Sequence, residues 1–330
     1  MDVVVTGCAG FIGARVCGML LDRGDRVAGM DDMNGLSYDP ALKEKRLEEL
    51  RHREGFVFRK ADISDAARTE EFFSGLEGSF SPSAVINLAA HAGVRLSAEM
   101  PLEFYRTNVL GTINLLEACR VGGIKKFVFI SSSSVYGESG DGSSAEDSPT
   151  DKPLSPYAAS KFAGEGICHS YHKIFGTDVT ALRYFTVYGP AGRPDMSIFR
   201  FVRAVAEGEE IVVFGDGTQS RDFTFVDDAA RATVLSLKET GFEAINIAGG
   251  ASARLKDVIA LIEDGLGKKA IIRNEPMHPA DPLDTKANIS KAERVLGWKP
   301  QVGIEEGIKS CVDWYVENRE WASRVSIPEI

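Results

Sequence analysis

An α/β fold, a doubly wound parallel sheet followed by a smaller C-terminal domain, is predicted by three observations. Strand-like apolar runs at 3–6, 26–31, 55–59, 84–88, 126–131, 178–184 and 244–248 alternate with helical stretches, the order that places helices on both faces of a parallel sheet. The first run ends directly in Thr6-Gly7-Cys8-Ala9-Gly10-Phe11-Ile12-Gly13, so a strand passes through glycines into a helix. After about residue 185 the alternation fades into Tyr188-Gly189-Pro190-Ala191-Gly192-Arg193-Pro194 and shorter helix and strand pieces.

Helices are expected near 10–23, 41–53, 65–75, 102–121 and 156–175. The fourth carries Leu110, Ile113, Leu115, Leu116 and Ala118 at helical spacing, and Gly122-Gly123 stops it. Residues 137–153, rich in Gly, Ser, Asp and Pro, read as a polar loop without core-building power. Asn246-Ile247-Ala248-Gly249-Gly250 reads as a return to the first sheet. The expected division is a first domain over 1–185, with its return near 225–250, and a second domain mainly over 186–330.

The 330 residues carry 38 basic and 48 acidic side chains, net −10, which argues against nucleic acid or an anionic membrane as partner. Cys8, Cys17, Cys119, Cys168 and Cys311 are odd in number and scattered, so neither a disulfide framework nor a zinc site is expected, and all five read as small buried hydrophobes. No run approaches 18 apolar residues, and the first strand starts at Asp2. The expectation is a cytoplasmic protein without a signal peptide.

In the glycine loop, Gly7 permits a tight turn, Gly10 lets the backbone approach a pyrophosphate, and Gly13 lets the first helix pack closely on its strand. Ala9, Phe11 and Ile12 fill the spacing, and the free N–H groups of that helix suit phosphates. The second strand ends in Asp31, placed where a carboxylate accepts hydrogen bonds from an adenosine ribose and repels a 2′-phosphate. NAD rather than NADP is therefore expected, with Asp31 as ribose ligand and Asp32 as its nearest rival; the bland alternative is a turn or helix-capping aspartate.

Ligands of such sheets lie outside the carboxyl ends of the strands. One strand ends in Ser131-Ser132-Ser133-Ser134-Val135-Tyr136-Gly137, and Ser155-Pro156-Tyr157-Ala158-Ala159-Ser160-Lys161 opens a helix. Tyr157 and Lys161, four apart, share a helix face. Bringing a phenol from its usual value of about 10 to about 7 takes roughly 4 kcal/mol, which a nearby lysine plus a positive nicotinamide ring could supply. Tyr157 then serves as general base toward a sugar or alcohol hydroxyl, and Ser132 fixes that oxygen.

The Thr6–Gly13 loop, Asp62-Ile63, Asn87-Leu88-Ala89-Ala90-His91, the Ser132, Tyr157 and Lys161 trio and Arg183-Tyr184-Phe185-Thr186-Val187-Tyr188-Gly189-Pro190 together resemble the extended short-chain dehydrogenase/reductases along essentially the whole chain. Within them, Gly93-Val94-Arg95, Ser131–Gly137, Thr186–Met196 and Phe214-Gly215-Asp216-Gly217 through Arg221-Asp222-Phe223 are most similar to UDP-glucuronate 4-epimerases. The resemblance implies a Rossmann fold, a UDP-sugar substrate, NAD retained through the cycle and no metal. It also implies cofactor contacts at Asp62, Ile63, Leu88, Ala89, Ala90, Asn108 and Tyr184, and a homodimer built on the helices near 102–121 and 156–175. His91 stands where this family usually has glutamine and reads as a packing or cofactor contact, with a catalytic acid as the alternative. Ala280 and Leu283 replace a usual glycine and proline beside Asp281, a candidate contact at the rim of the sugar-nucleotide site.

Similar 4,6-dehydratases place an Asp-Glu pair where this chain has Ser133-Ser134, and similar decarboxylases a glutamate at Ser134, so the proton carriers of those reactions are missing. Epimerising a uronic acid passes through a β-keto acid, which keeps its carboxylate only if that group is held in the sugar plane. Hydroxyls from Ser133, Ser134 and Thr186 and the planar fork of Arg193 suit this task. Relatives acting on neutral UDP-glucose usually carry asparagine at Thr186. Arg221, with Arg95, is the expected diphosphate clamp. The competing readings are a 4-epimerase of neutral UDP-hexoses, a UDP-glucuronate decarboxylase and an NAD-sensing module without turnover.

Overall fold

The computed structural model describes residues 1–138, 143–277 and 284–327; Ala280, Asp281 and Leu283 lie outside them. Seven strands form one parallel sheet: β1 (Asp2–Thr6), β2 (Arg26–Asp31), β3 (Phe56–Lys60), β4 (Ala84–Asn87), β5 (Lys126–Ser132), β6 (Asp178–Tyr184) and, after three strands of the second lobe, β10 (Phe242–Ile247). Their order is β10-β6-β5-β4-β1-β2-β3, so the chain switches direction between β1 and β4, where the carboxyl ends of neighbouring strands open a crevice.

Side chains alternate along each strand, and both faces of the sheet's central strands are buried, while the edge strand β3 is partly exposed. Val3 and Val5 join one core with Val16 and Leu20 of α1 (Phe11–Asp22) and Ala229 of α9 (Val226–Leu235). Val4 joins the other, with Phe72 of α3 (Ala66–Ser74), Leu115 and Leu116 of α6 (Gly111–Gly122) and Cys168 of α7 (Pro156–Phe175). The remaining helix beside this sheet's first half is α2 (Ala41–Arg51).

The single helix expected over 102–121 is divided. A short α4 (Val94–Glu99) precedes α5 (Pro101–Tyr105), and a π-helical turn over Arg106–Leu110 leads into α6. The wider turn swings Asn108 inward, where it holds the backbone of His91 from both sides: its Oδ1 accepts from His91 N at 2.8 Å and its Nδ2 donates to His91 O at 2.9 Å. Gly123, with φ of +69°, ends α6 in the left-handed conformation that favours glycine.

The second lobe holds β7 (Thr186–Tyr188), β9 (Ser220–Phe225) and β11 (Ser252–Arg254) in one sheet, and β8 (Glu210–Phe214) beside β12 (Ile271–Glu275) in another. Helices α8 (Ser197–Glu207), α10 (Leu255–Leu266) and α12 (Ile304–Ala322) share one apolar core with them. α11 (Ser290–Leu296) packs back on the large sheet near β10. The polar loop is more than a surface excursion: Ser144 is buried, donates its N–H to Lys286 O at 2.8 Å and accepts from Asn288 N at 2.9 Å. These hydrogen bonds hold the described part of the loop around Ser144. All five cysteines are buried and unpaired by disulfides. Among the described residues no helix is long and apolar enough to cross a membrane.

Candidate active site

A cavity of about 430 Å³ opens at the carboxyl ends of the large sheet. At one end lies the glycine turn. Gly7 has φ of +67°, and a Cβ there would sit 2.7 Å from Ala89 N; one on Gly13 would sit 2.0 Å from Gly7 O. The turn therefore stacks on the Leu88-Ala89-Ala90 backbone only as glycine. Thr6 Oγ1 ties the two strand ends, donating to Asn87 Oδ1 at 2.8 Å and accepting from Ala89 N at 3.2 Å. α1 begins without a side-chain cap, and Gly10, Phe11, Ile12 and Gly13 line the cavity, so its first-turn N–H groups are available to an anion.

Asp31 and Asp32 both line this end. Asp31 accepts from Ala9 N at 3.2 Å and Met33 N at 2.9 Å; Asp32 accepts from Asn34 N at 3.0 Å. Lys43, which sequence reasoning passed over, reaches both, at 3.2 and 3.5 Å. Burial works against its charge, but the two carboxylates outweigh it and hold its pKa above the ordinary lysine value. Asp62, Ile63, Leu88, Ala89, Ala90 and Tyr184 also lie on the wall. Two residues expected there do not. Ala9 is fully buried beneath the turn, its N–H spent on Asp31, and Asn108 sits behind the wall, bonded to His91 and to Ser160 Oγ at 2.9 Å. His91 faces the cavity edge beside Phe104, and burial lowers its pKa despite Asp32.

In the middle of the cavity, β5 delivers Ser131 and Ser132 and α7 delivers Tyr157 and Lys161. Ser155 caps α7, its Oγ accepting from Ala158 N at 3.1 Å, and Pro156 occupies the first turn. Ser132 Oγ accepts from Ser134 N at 3.2 Å and Ser134 Oγ at 2.9 Å and lies close enough to Tyr157 to act on the phenol. Burial raises the phenol's pKa, and Ser132 and the Arg193 charge oppose that rise. Lys161 does not pair with the phenol here. Its Nζ donates to Ile130 O at 2.8 Å, and burial pulls it down to about 7. Behind this trio Glu165 accepts from Ser131 Oγ at 2.5 Å and takes Arg183 in a two-pronged pair, while Arg183 also donates to Tyr136 O–H at 3.0 Å.

Ser133, Ser134, Thr186, Arg193 and Arg221 also line the wall. Arg193 Nε donates to Asp195 at 3.0 Å, and Nη2 to Ala92 O at 3.1 Å and to Asp195, so Nη1 is the nitrogen left for a ligand. Burial opposes the charge, but Asp195 outweighs it and keeps the guanidinium protonated. Arg221 Nη1 donates to Ser220 O at 2.8 Å. Arg95 lies off the wall, its guanidinium 4.1 Å over the Phe214 ring.

A glycine turn capping an uncovered helix start, a carboxylate at the end of the second strand and a Ser-Tyr-Lys trio beside them define a dinucleotide-dependent oxidoreductase-type site. The chain belongs to the NAD dependent epimerase/dehydratase family, whose model matches residues 3–248. Its cofactor is NAD, and it is an enzyme of the NAD-dependent nucleotide-sugar epimerase class. A UDP-glucuronate 4-epimerase of Thermodesulfobacterium geofontis is 46% identical over 328 residues, 98% of this chain and 99% of that one. The crystal structure of the UDP-glucuronic acid 4-epimerase from Bacillus cereus, in complex with UDP-glucuronic acid and NAD, is similar with a TM-score of 0.89 and 37% identity over 96% of this chain and all of that one. The UDP-glucose 4-epimerase of Thermotoga maritima, with UDP-glucose, has a TM-score of 0.87 at 30% identity, covering 97% of this chain and all of that one.

Proposed function

We propose that the protein is a UDP-glucuronate 4-epimerase, interconverting UDP-glucuronate and UDP-galacturonate. The observation that carries this reading is Arg193: a charged, partly buried guanidinium on the cavity wall, close enough to Tyr157 to act on its ionisation, on a wall that the hydroxyls of Ser133, Ser134 and Thr186 also line. NAD, when bound, accepts hydride from sugar carbon 4 and returns it.

Tyr157 takes the proton of the 4-hydroxyl while Ser132 holds that oxygen. Lys161, one helical turn below, brings positive charge toward the phenol once a ligand draws it from Ile130 O. Arg193 Nη1, with Ser133, Ser134 and Thr186, keeps the carboxylate of the 4-keto sugar in plane and so out of line for decarboxylation. Arg221 holds the diphosphate while the sugar turns over to receive hydride on its other face, and Asp31 holds the adenosine ribose. In this division residues 1–185, with a return near 225–250, serve NAD, and the rest of 186–330 mainly the UDP-sugar. The exposed apolar side chains Leu102, Leu110 and Phe162 suit a second copy of the chain.

Incubating the purified protein with UDP-glucuronate and following products by NMR tests the reading. UDP-galacturonate supports it. UDP-pentose with carbon dioxide would make the protein a decarboxylase, turnover of UDP-galactose alone a neutral-hexose epimerase, and NAD binding without any turnover a sensor.

A further inference from the structure

We propose that Arg46 and Tyr38 are positioning residues that fix Arg193 against the dinucleotide turn, an inference that rests on the carboxylate reading of Arg193. Arg46 lies on α2, a helix of mostly charged residues, yet it is buried. Among the described residues it has no carboxylate partner, and its Nε is buried without a hydrogen-bond partner. A guanidinium held this way is unfavourable on its own, so the bonds it does make account for its presence.

Those bonds join two parts of the site. Nη1 reaches Ala9 O at 3.4 Å, beneath the glycine turn, and the Tyr38 O–H at 3.1 Å; Nη2 donates to Ala191 O at 2.5 Å. Ala191 has φ of +53°, a conformation that strains a residue with a Cβ and persists only when its surroundings enforce it. Arg193 follows two residues later. Its guanidinium stands 5.8 Å from the Tyr38 ring centre, and that of Arg46 stands 5.7 Å from the same ring. One aromatic ring therefore serves two cations, and a lysine at 46 could not reach Ala9, Tyr38 and Ala191 together.

The test uses Arg46→Met, Arg46→Lys and Arg193→Ala, each purified and assayed for bound NAD, with UDP-glucuronate and UDP-glucose binding measured by calorimetry. Arg46→Met should weaken UDP-glucuronate about tenfold or more with UDP-glucose little changed, and should raise the decarboxylated share of product. Combined with Arg193→Ala it should add no further loss, because both act through one guanidinium. Equal losses for both sugars, or full additivity, overturn the positioning role. If Arg46→Met fails to fold, Arg46→Lys carries the same comparison. Selective loss in Arg193→Ala with none in the Arg46 variants overturns this inference alone; equal loss of both sugars in Arg193→Ala overturns the carboxylate reading itself.

Discussion

Lys161 donates to the carbonyl of Ile130, 2.8 Å away, although Tyr157 stands one turn before it on the same helix face. The ammonium is thus parked on the strand that ends in Ser131 and Ser132. Two groups that sequence spacing pairs directly are held apart by a backbone acceptor, and the phenol keeps its proton, its pKa raised by burial.

This arrangement fixes a pH dependence of stability. The folded pKa of Lys161, pulled down to about 7 by burial, lies below the unfolded value of about 10.4. Between these the unfolded chain binds more protons, so this group's contribution to stability grows as pH rises from about 7 toward 10 and is lost as pH falls through about 7. Denaturant titrations at several pH values should show wild type gaining on Lys161→Met across that window. Parallel curves would place the lysine in a wetter site.

Tyr157→Phe keeps the ring and removes the proton acceptor. Turnover should fall about 10²- to 10⁴-fold while NAD stays bound. A steady-state rate within about tenfold of wild type would assign the base elsewhere.

Arg193→Ala should lose on the order of 2 to 5 kcal/mol toward UDP-glucuronate, the range for truncating one partner of a desolvated charge pair, and should raise the decarboxylated fraction of product. UDP-glucose lacks the carboxylate, and calorimetry should find its binding nearly unchanged. Loss of both in equal measure would make Arg193 a diphosphate or structural residue.

Asp31→Ala removes the charged acceptor offered to the ribose, so NAD binding should weaken by about 1.5–3 kcal/mol and the preference over NADP should narrow. Fluorescence titration checks both. Unchanged NAD affinity moves the role to Asp32, which shares Lys43 with it.

The large sheet was legible because most of its strands are apolar runs bounded by turn residues, and the glycine turn because Gly7 and Gly13 admit no side chain. Tyr157, Lys161 and Ser132 were legible from spacing together with their strand and helix context. The π-helical turn was not, since its cause is the distant backbone of His91. Lys43, Arg46 and Glu165 were hidden for a related reason: charged residues on helices read as solvated faces, and only the tertiary fold turns them inward. In the second lobe α8 and α10 carry a clear apolar stripe, but its strands are short and pair with partners far away in sequence, so its sheets left no local signature.

The place of β10 beside β6 has a consequence for how the chain is made. During synthesis the edge of β6 stays without its partner while about sixty further residues are added, an open hydrogen-bonding rim of the kind that invites intermolecular pairing. Trp298, fully buried with its Nε1 on Asp228 O at 3.0 Å, joins the same half of the molecule only later. A chain halted before residue 247 would thus expose a sticky sheet margin rather than a finished cofactor domain, and truncation at the apparent boundary near 185 would leave the same margin permanently bare.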